Sequence, residues 1–463
     1  MLSKKLKPYL EILTLAGPIA LGMLNSALMQ FTDRAYLAHA SMSYLEAVLP
    51  ASTLCWIVLS FFQSLVAYAG VFVSQYHGAG DLVRRAASVR AGALLAVLSG
   101  VSVLAFVPAG NAILDFTAPS EEIAALERAY YDICTAGGIF MFVQMAATSY
   151  FTGTGRPRLV FWANVVGNTL NVALDPILIF GWFGCPALGV AGAAYATVFS
   201  MAVQAAWLAL AAHREIRRDL AAAPASASLS SGEFRALVLR LLRFGMPAGG
   251  YSVLNMLSFT VFVFVTGRTD HLSFAVSNAC FTVNYLVYAP MEGFALGAQT
   301  LVGQARGRGD DEAAVMAVRR SLILAVGIFT VVVAALFAFR DPILRLFAPP
   351  DLVMSAAFLD LGATLFALMG AWLLFDSVDT ILCGALKGAG DTRFVMAWML
   401  FSAFGVWLPL VGVVALVHFT MPWLWSTTVV YVLVLFVGTW IRWKRGSWRA
   451  IHLVKTQAPV VSA

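Results

Sequence analysis

Apolar runs long enough to cross a bilayer recur along this chain, separated by short breaks rich in Gly, Pro and Arg. They predict membrane-spanning helices near 9–33, 45–76, 84–107, 121–151, 157–181 and 189–212, then near 236–265, 271–304, 313–339, 351–385, 393–417 and 423–443. About 20 helical residues cross the hydrocarbon core, so the longer runs imply tilt or extension beyond it. The expected fold class is all-α: a polytopic membrane protein with twelve transmembrane helices.

One segment breaks the pattern. The stretch from Gly153 to Gly181 is apolar enough to cross a bilayer, yet Asn164, Asn168, Asn171 and Asp175 follow one another at spacings of four, three and four. At about 3.6 residues per turn these side chains share one helix face, while Val165, Val166, Leu170, Val172 and Ile177 cover the rest. An ionisable group at bilayer depth costs about 2.5–3.5 kcal/mol even on lenient scales, so Asp175 is expected to face a cavity or partners rather than lipid. The asparagines alone would also suit interhelical hydrogen bonding.

Composition agrees with the pattern: of 463 residues 60% are hydrophobic and 12% charged, far from the balance of soluble domains. With the N-terminus inside, 25 of the 30 Lys and Arg fall at cytoplasmic helix ends or tails, leaving Arg34, Arg128, Arg268, Arg340 and Arg345 opposite. The positive-inside rule then places both termini in the cytoplasm. This topology, with anionic lipid at the inner leaflet, accounts for the net charge of +6 and gives no reason to invoke nucleic acid. The first apolar run lacks a small-residue cleavage site and reads as a retained helix. Five cysteines without paired spacing and six histidines without an HExxH pattern give no disulfide framework and no zinc site.

The chain repeats itself. Gln75, Gly78, Gly80 and Asp81 in QYHGAGD match Gln304, Gly307, Gly309 and Asp310 in QARGRGD at an offset of 229, as Pro18 matches Pro247. FTAP from Phe116 pairs with FAPP from Phe347 at 231, and Gly155 in GTGRPR with Gly390 in GAGDTR at 235. Six spans are thus duplicated in parallel orientation. The expected division is a first lobe over 1–213, a cytoplasmic linker over 214–234 and a second lobe over 235–463 with a short tail. Pro18 gives no N–H to the carbonyl of Thr14, so the first helix can bend there, and Pro247 repeats the device. Repeats of this kind are typical of transporters with a site between the halves.

Taken in order, Pro18 followed by Asp33, the duplicated GxGD turns, GTGRPR, KGAGDTR and ALGVAGAAYATV from Ala187 resemble the multidrug and toxic compound extrusion family over essentially the whole chain. The resemblance is closer to its DinF-like branch. It implies two pseudo-symmetric six-helix bundles that open a central cleft alternately to either side, exporting organic cations against sodium or protons. It also carries over a coupling set: Asp33, fifteen residues beyond Pro18, and Asn171 and Asp175, four apart, with Thr197 and the Ala193 carbonyl from the sixth span. Hard oxygen ligands suit a small alkali cation, and the same carboxylates can take a proton instead. The second half departs from the NorM-like branch, having Asn255 where that branch has a glutamate. It keeps Asp376 and adds Asp379, with Glu292 a further polar candidate. The repeat counterparts of Asp33 and Asp175 are Phe262 and Leu410, which concentrates coupling in the first lobe. Cleft-lining candidates are Met29, Tyr36, Gln144, Asn164 and Asn168, with Met145, Tyr150, Trp162, Met256, Tyr285 and Trp372 as further aromatic and Met side chains.

Three function classes follow. The favoured one is a secondary multidrug efflux antiporter in a bacterial-type inner membrane, monomeric, with no cofactor beyond H+ or Na+ as coupling ion. A lipid-linked precursor flippase of the same superfamily is the alternative, disfavoured because the Arg residues lie at span ends rather than in a cavity. An intramembrane prenyl transferase using Asp376 and Asp379 lacks a second Asp-rich motif, and no P-loop is present.

Overall fold

The computed structural model describes residues 2–224, 228–347 and 356–454. Part of the expected linker (225–227), most of FAPP, the first five residues of the tenth expected span and the tail beyond Val454 lie outside them. Among the described residues twelve helices are long and apolar enough to cross a membrane. In order they are α1 Leu2–Ala40, α2 Met42–Gly78, α3 Leu82–Leu104, α4 Glu121–Gly153, α5 Arg158–Phe180, α6 Val190–Ala222, α7 Ser231–Thr266, α8 His271–Gly307, α9 Asp311–Ala338, α10 Ala356–Ala389, α11 Thr392–Val417 and α12 Met421–Arg445. Short helices at Val107–Thr117 and Arg340–Phe347, not anticipated from the apolar pattern, follow α3 and α9. The expected linker is largely helical: α6 runs on to Ala222 and α7 begins at Ser231. In α11 the seven residues Phe401–Trp407 form a π-helix, a wider turn that takes up an added residue.

The repeated motifs are helix terminators with a common geometry. Gly80, Gly155, Gly309 and Gly390 all have positive φ, between +71° and +100°. At each, the following N–H reaches back five residues: Asp81 to the Tyr76 carbonyl, Arg156 to Phe151, Asp310 to Ala305 and Asp391 to Leu386. This closure of the last helical turn needs a left-handed residue, which glycine supplies without a Cβ clash. The aspartate then starts the next helix, Asp81 accepting from the Arg84 N–H at 2.8 Å. Ser120 caps α4 in the same way, with Glu121 and Glu122 in its first turn complementing the helix dipole.

Two compact units result. One holds the chain up to Ala20, Leu254–Val302 and Asp311–His452; the other holds Leu21–Val253, Gly303–Asp310, Leu453 and Val454. Each repeat therefore gives the basic-end part of its first helix to the other repeat's unit. In both α1 and α7 membership changes shortly after the proline, Pro18 or Pro247, although the helix is continuous through it.

Lipid tails are as apolar as leucine, so helix association here rests on close packing and polar contacts rather than on hydrophobic transfer. In the first-repeat unit Phe72, Tyr131 and Phe142 are fully buried among α2, α3 and α4. In the second-repeat unit Trp425 is buried between Phe281, at 4.8 Å, and Trp372, at 5.0 Å, and gives its indole N–H to Ser277 Oγ at 3.0 Å.

Asp391 anchors α12. Its carboxylate is only 4% exposed and takes a forked contact from Arg442, Nε at 2.7 Å and Nη2 at 3.3 Å. Arg442→Ala strands this buried charge and is expected to destabilise the protein by about 3–5 kcal/mol. Arg442→Lys, which keeps the charge but loses the fork, should recover only part of that. Thermal unfolding in detergent checks both; an unchanged midpoint for Arg442→Ala would contradict the anchoring role.

Candidate functional site

The polar face of α5 points inward. Asn171 and Asp175 are completely buried and Asn168 nearly so, whereas Trp162 and Val166 on the other side are exposed. The contacts of this α5 face lie within the unit built on Leu21–Val253. Asp33, on α1, brings its carboxyl group close enough to that of Asp175 for the two charges to act on each other. Asn171 stands beside them. With its amide nitrogen turned to Asp33 it donates to Oδ1 at 2.9 Å, and its oxygen takes the Thr197 N–H at 3.3 Å. The Thr197 hydroxyl donates to the Ala193 carbonyl at 3.0 Å, so Ala193 enters the site through its backbone. All five first-lobe candidates are therefore gathered in one place.

Two features of this cluster stand out chemically. Neither Asp175 oxygen has a hydrogen-bond partner among the described residues, although both are buried. Pro176 follows directly and has no N–H for the carbonyl of Val172, one turn back. Two carboxylates thus meet beside the Asn171 amide and the Thr197 hydroxyl, with Arg34 near enough to Asp33 to act on it through its charge. Buried carboxylates repel one another, and either a proton or a small cation between them relieves that repulsion. Carboxylate and hydroxyl oxygens suit a hard ion, and no cluster of three His, Cys, Asp or Glu suited to a transition metal occurs among the described residues.

Towards the N-terminal end of α5 the stripe becomes an amide network. Gln144 on α4 donates to Asn164 Oδ1 at 3.1 Å and to Gln204 Oε1 at 2.8 Å. Asn168 donates to Ser26 Oγ at 3.1 Å, and Asn25 to the Asn164 carbonyl at 3.5 Å. Gln204 fits because Gly167 is bare: a Cβ there would lie 2.1 Å from the Gln204 amide nitrogen. Gln204 and Ser26 were not legible as partners. The available signal is that Gln204 sits two turns from Thr197 and hence on the same face of α6.

The aromatic and Met candidates divide. Met29, Tyr36, Met145 and Met256 are half-buried and Tyr285 is exposed. Tyr36 packs edge-on to Phe180 at 6.4 Å. Three depart from the expectation of cleft lining. Trp162 faces away from the stripe, Trp372 is buried against Trp425, and Tyr150 is buried near the basic end of α4. The Tyr150 hydroxyl donates to Asp219 Oδ2 at 2.9 Å and accepts from Arg156 Nη2 at 3.2 Å. Tyr150→Phe is therefore expected to lower stability by about 1 kcal/mol, the worth of ordinary hydrogen bonds, and to leave substrate KM unchanged. Paired melting and transport assays check this, and a large KM change would return Tyr150 to the cleft.

The second-repeat unit has its own buried carboxylates. Asp379 accepts from the Thr439 hydroxyl at 2.7 Å and from Cys383 Sγ at 3.7 Å. Thr380 Oγ1 lies 3.5 Å from Asp376, and Tyr288 donates to Glu292 at 2.5 Å. Among the described residues the Asn255 side chain makes no hydrogen bond, and its carbonyl takes the Ser258 hydroxyl. Where the first repeat has Asp33, the second has Phe262, whose ring lies 5.1 Å from Trp407. Trp407 is the counterpart of Asn171 once the added residue of the π-turn is counted, and it gives its N–H to Thr427. Aromatic packing occupies the position that Asp33 and Asn171 hold in the first repeat.

The MatE family profile matches residues 18–177 and 247–412, taking in most of both repeats, with Asp33, Asn171 and Asp175. The chain belongs to the MatE family. The MatE chain is 29% identical over 400 residues to a probable multidrug resistance protein NorM of Bradyrhizobium diazoefficiens, covering 86% of this chain and 84% of the relative. It is 27% identical over 412 residues to the multidrug resistance protein PmpM of Pseudomonas aeruginosa, covering 86% and 82%. Its fold is shared with the crystal structure of MATE in complex with MaL6, at a TM-score of 0.85 and 20% identity, covering 96% of this chain and 98% of that one. The outward-facing conformation of a multidrug resistance MATE family transporter gives the same TM-score and identity over 96% and 97%. MatE proteins are transporters, not enzymes, and this one is a multi-pass membrane member with small-molecule substrates.

Proposed function

We propose that this MatE chain is a secondary antiporter that exports organic cations in exchange for H+ or Na+, with the ion bound by Asp33, Asn171, Asp175, Thr197 and the Ala193 carbonyl. The observation that carries this reading is the buried Asp175 carboxyl, which has no hydrogen-bond donor among the described residues and faces a second carboxyl. An ion entering there replaces repulsion by attraction. Coupling requires that the ion and the drug favour opposite-facing states, since a ligand shifts an equilibrium only by its differential affinity. Pro18 and Pro247, just ahead of the points where α1 and α7 change unit, are where these helices bend between states. The basic helix ends face the cytoplasm of a bacterial-type inner membrane, and the transporter works as a monomer.

Purified protein in liposomes provides the test. Ethidium export should respond to an imposed proton or sodium gradient and vanish when both are collapsed. Export at an equal rate without either gradient would refute antiport.

A further inference from the structure

We propose that the two repeated GxGD turns lock against each other, backbone to backbone, and that parting this lock admits substrate from the cytoplasm. The proposal rests on the alternating-access reading above. Gly78 ends α2 and Gly307 ends α8, and the two are repeat counterparts. A Cβ on Gly78 would lie 2.0 Å from the Gln304 carbonyl oxygen; one on Gly307 would lie 1.9 Å from the Gln75 carbonyl oxygen. Gln75 and Gln304 are also counterparts, so the contact is reciprocal, each turn seating its glycine on the other's last helical carbonyl. Both sides lie in the same compact unit.

The surroundings hold the two turns in place. Gly303 rests on Ser74, where a Cβ would come 2.0 Å from Oγ, and Gln304 Nε2 donates to the Gly153 carbonyl at 2.9 Å. Beneath α2, Arg85 Nη1 lies 2.8 Å from His77 Nδ1, and Arg85 Nε donates to Asp219 Oδ2 at 3.0 Å. A second layer repeats the logic on α7: a Cβ on Gly249 would lie 2.7 Å from the Phe61 carbonyl oxygen, and Ser252 Oγ lies 2.6 Å from Ser64 Oγ on α2. Helices from different repeats thus meet over surfaces without side chains. Such a contact is specific, because any Cβ blocks it, and its parting strands few side-chain groups.

Alanine at either position cannot be absorbed by a rotamer change, since the obstructing atom is backbone. The Ser64–Ser252 pair supplies the reporter. In full-length protein with Cys55, Cys134, Cys185, Cys280 and Cys383 replaced by alanine, Ser64→Cys and Ser252→Cys should join rapidly under copper phenanthroline in liposomes. The joined protein should stop exporting ethidium and resume after dithiothreitol. Adding Gly78→Ala and Gly307→Ala should slow cross-linking by at least about tenfold, and Gly327→Ala, whose Cβ meets nothing within 4 Å, should not. If the double variant fails to fold, Gly303→Ala, opposed by the Ser74 side chain rather than by backbone, should show a smaller slowing in the same direction. Cross-linking and export at parental rates in the glycine variants would overturn the lock while leaving antiport intact. Loss of gradient-driven export in the cysteine parent before oxidation would instead strike at the antiport reading.

Discussion

Replacing Asp175 by asparagine is expected to abolish ion-driven efflux while leaving a folded protein in the membrane. The substitution keeps the shape of a completely buried side chain and removes its charge. Breaking one partner out of a buried ionic set costs about 3 kcal/mol or more, roughly a hundredfold in ion affinity. Asp33→Asn should act in the same direction, and the pair together should do little more than either alone, because the two carboxyls serve one ion. Gradient-driven ethidium export in liposomes measures it, with size-exclusion profiles and melting curves as the folding control. Parental export rates in both variants would remove the site from the first repeat and turn attention to Glu292, Asp376 and Asp379.

The second large effect is expected at Asn171. Leucine there keeps roughly the volume but removes both the donor to Asp33 and the oxygen facing Thr197. The sodium or proton dependence of export should shift by about tenfold or more, in line with loss of a charge-assisted hydrogen bond, with little change in the melting midpoint. Asn164→Leu is the matched control. Asn164 belongs to the network of Gln144 and Gln204, so its loss should appear as reduced stability, about 0.6 kcal/mol for an ordinary bond between membrane helices, with ion dependence unchanged. Equal ion effects at both positions would replace a local site by a generally hydrated cleft.

The inward face of α5 was legible because a period of 3.6 is a property of one helix, and Asp175 has few places to go inside a bilayer. Asp33 was legible only through the family resemblance, since nothing within α1 marks it. Gln204 and Ser26 were invisible for a related reason: each is a lone polar residue whose partner lies on another helix, and the bare Gly167 that admits Gln204 reads locally as any small residue. Tyr150 was misplaced because an aromatic ring in an apolar run gives no hint of depth. What fixes it is Arg156 beyond the end of α4 and Asp219 on α6, some seventy residues away. The exchange of helix ends between the units was hidden for the same physical reason. Repeats align by sequence, whereas membership in a packed unit depends on which glycines let two backbones approach.

The π-turn at Phe401–Trp407 changes how the two copies can be compared and, in turn, engineered. From Gly155 to that turn the second repeat trails the first by 235 residues; beyond it the trailing distance becomes 236, and the position matching Asp175 moves from Leu410 to Val411. Burial agrees, for Val411 is only 1% exposed and Asp175 is fully enclosed, while Leu410 is half-buried. One residue is about 100° of rotation on a helix. A designer who grafts an acid by sequence alignment alone would aim it away from the interior, and the ancestral symmetry of the duplicated gene is recovered only by counting along the backbone.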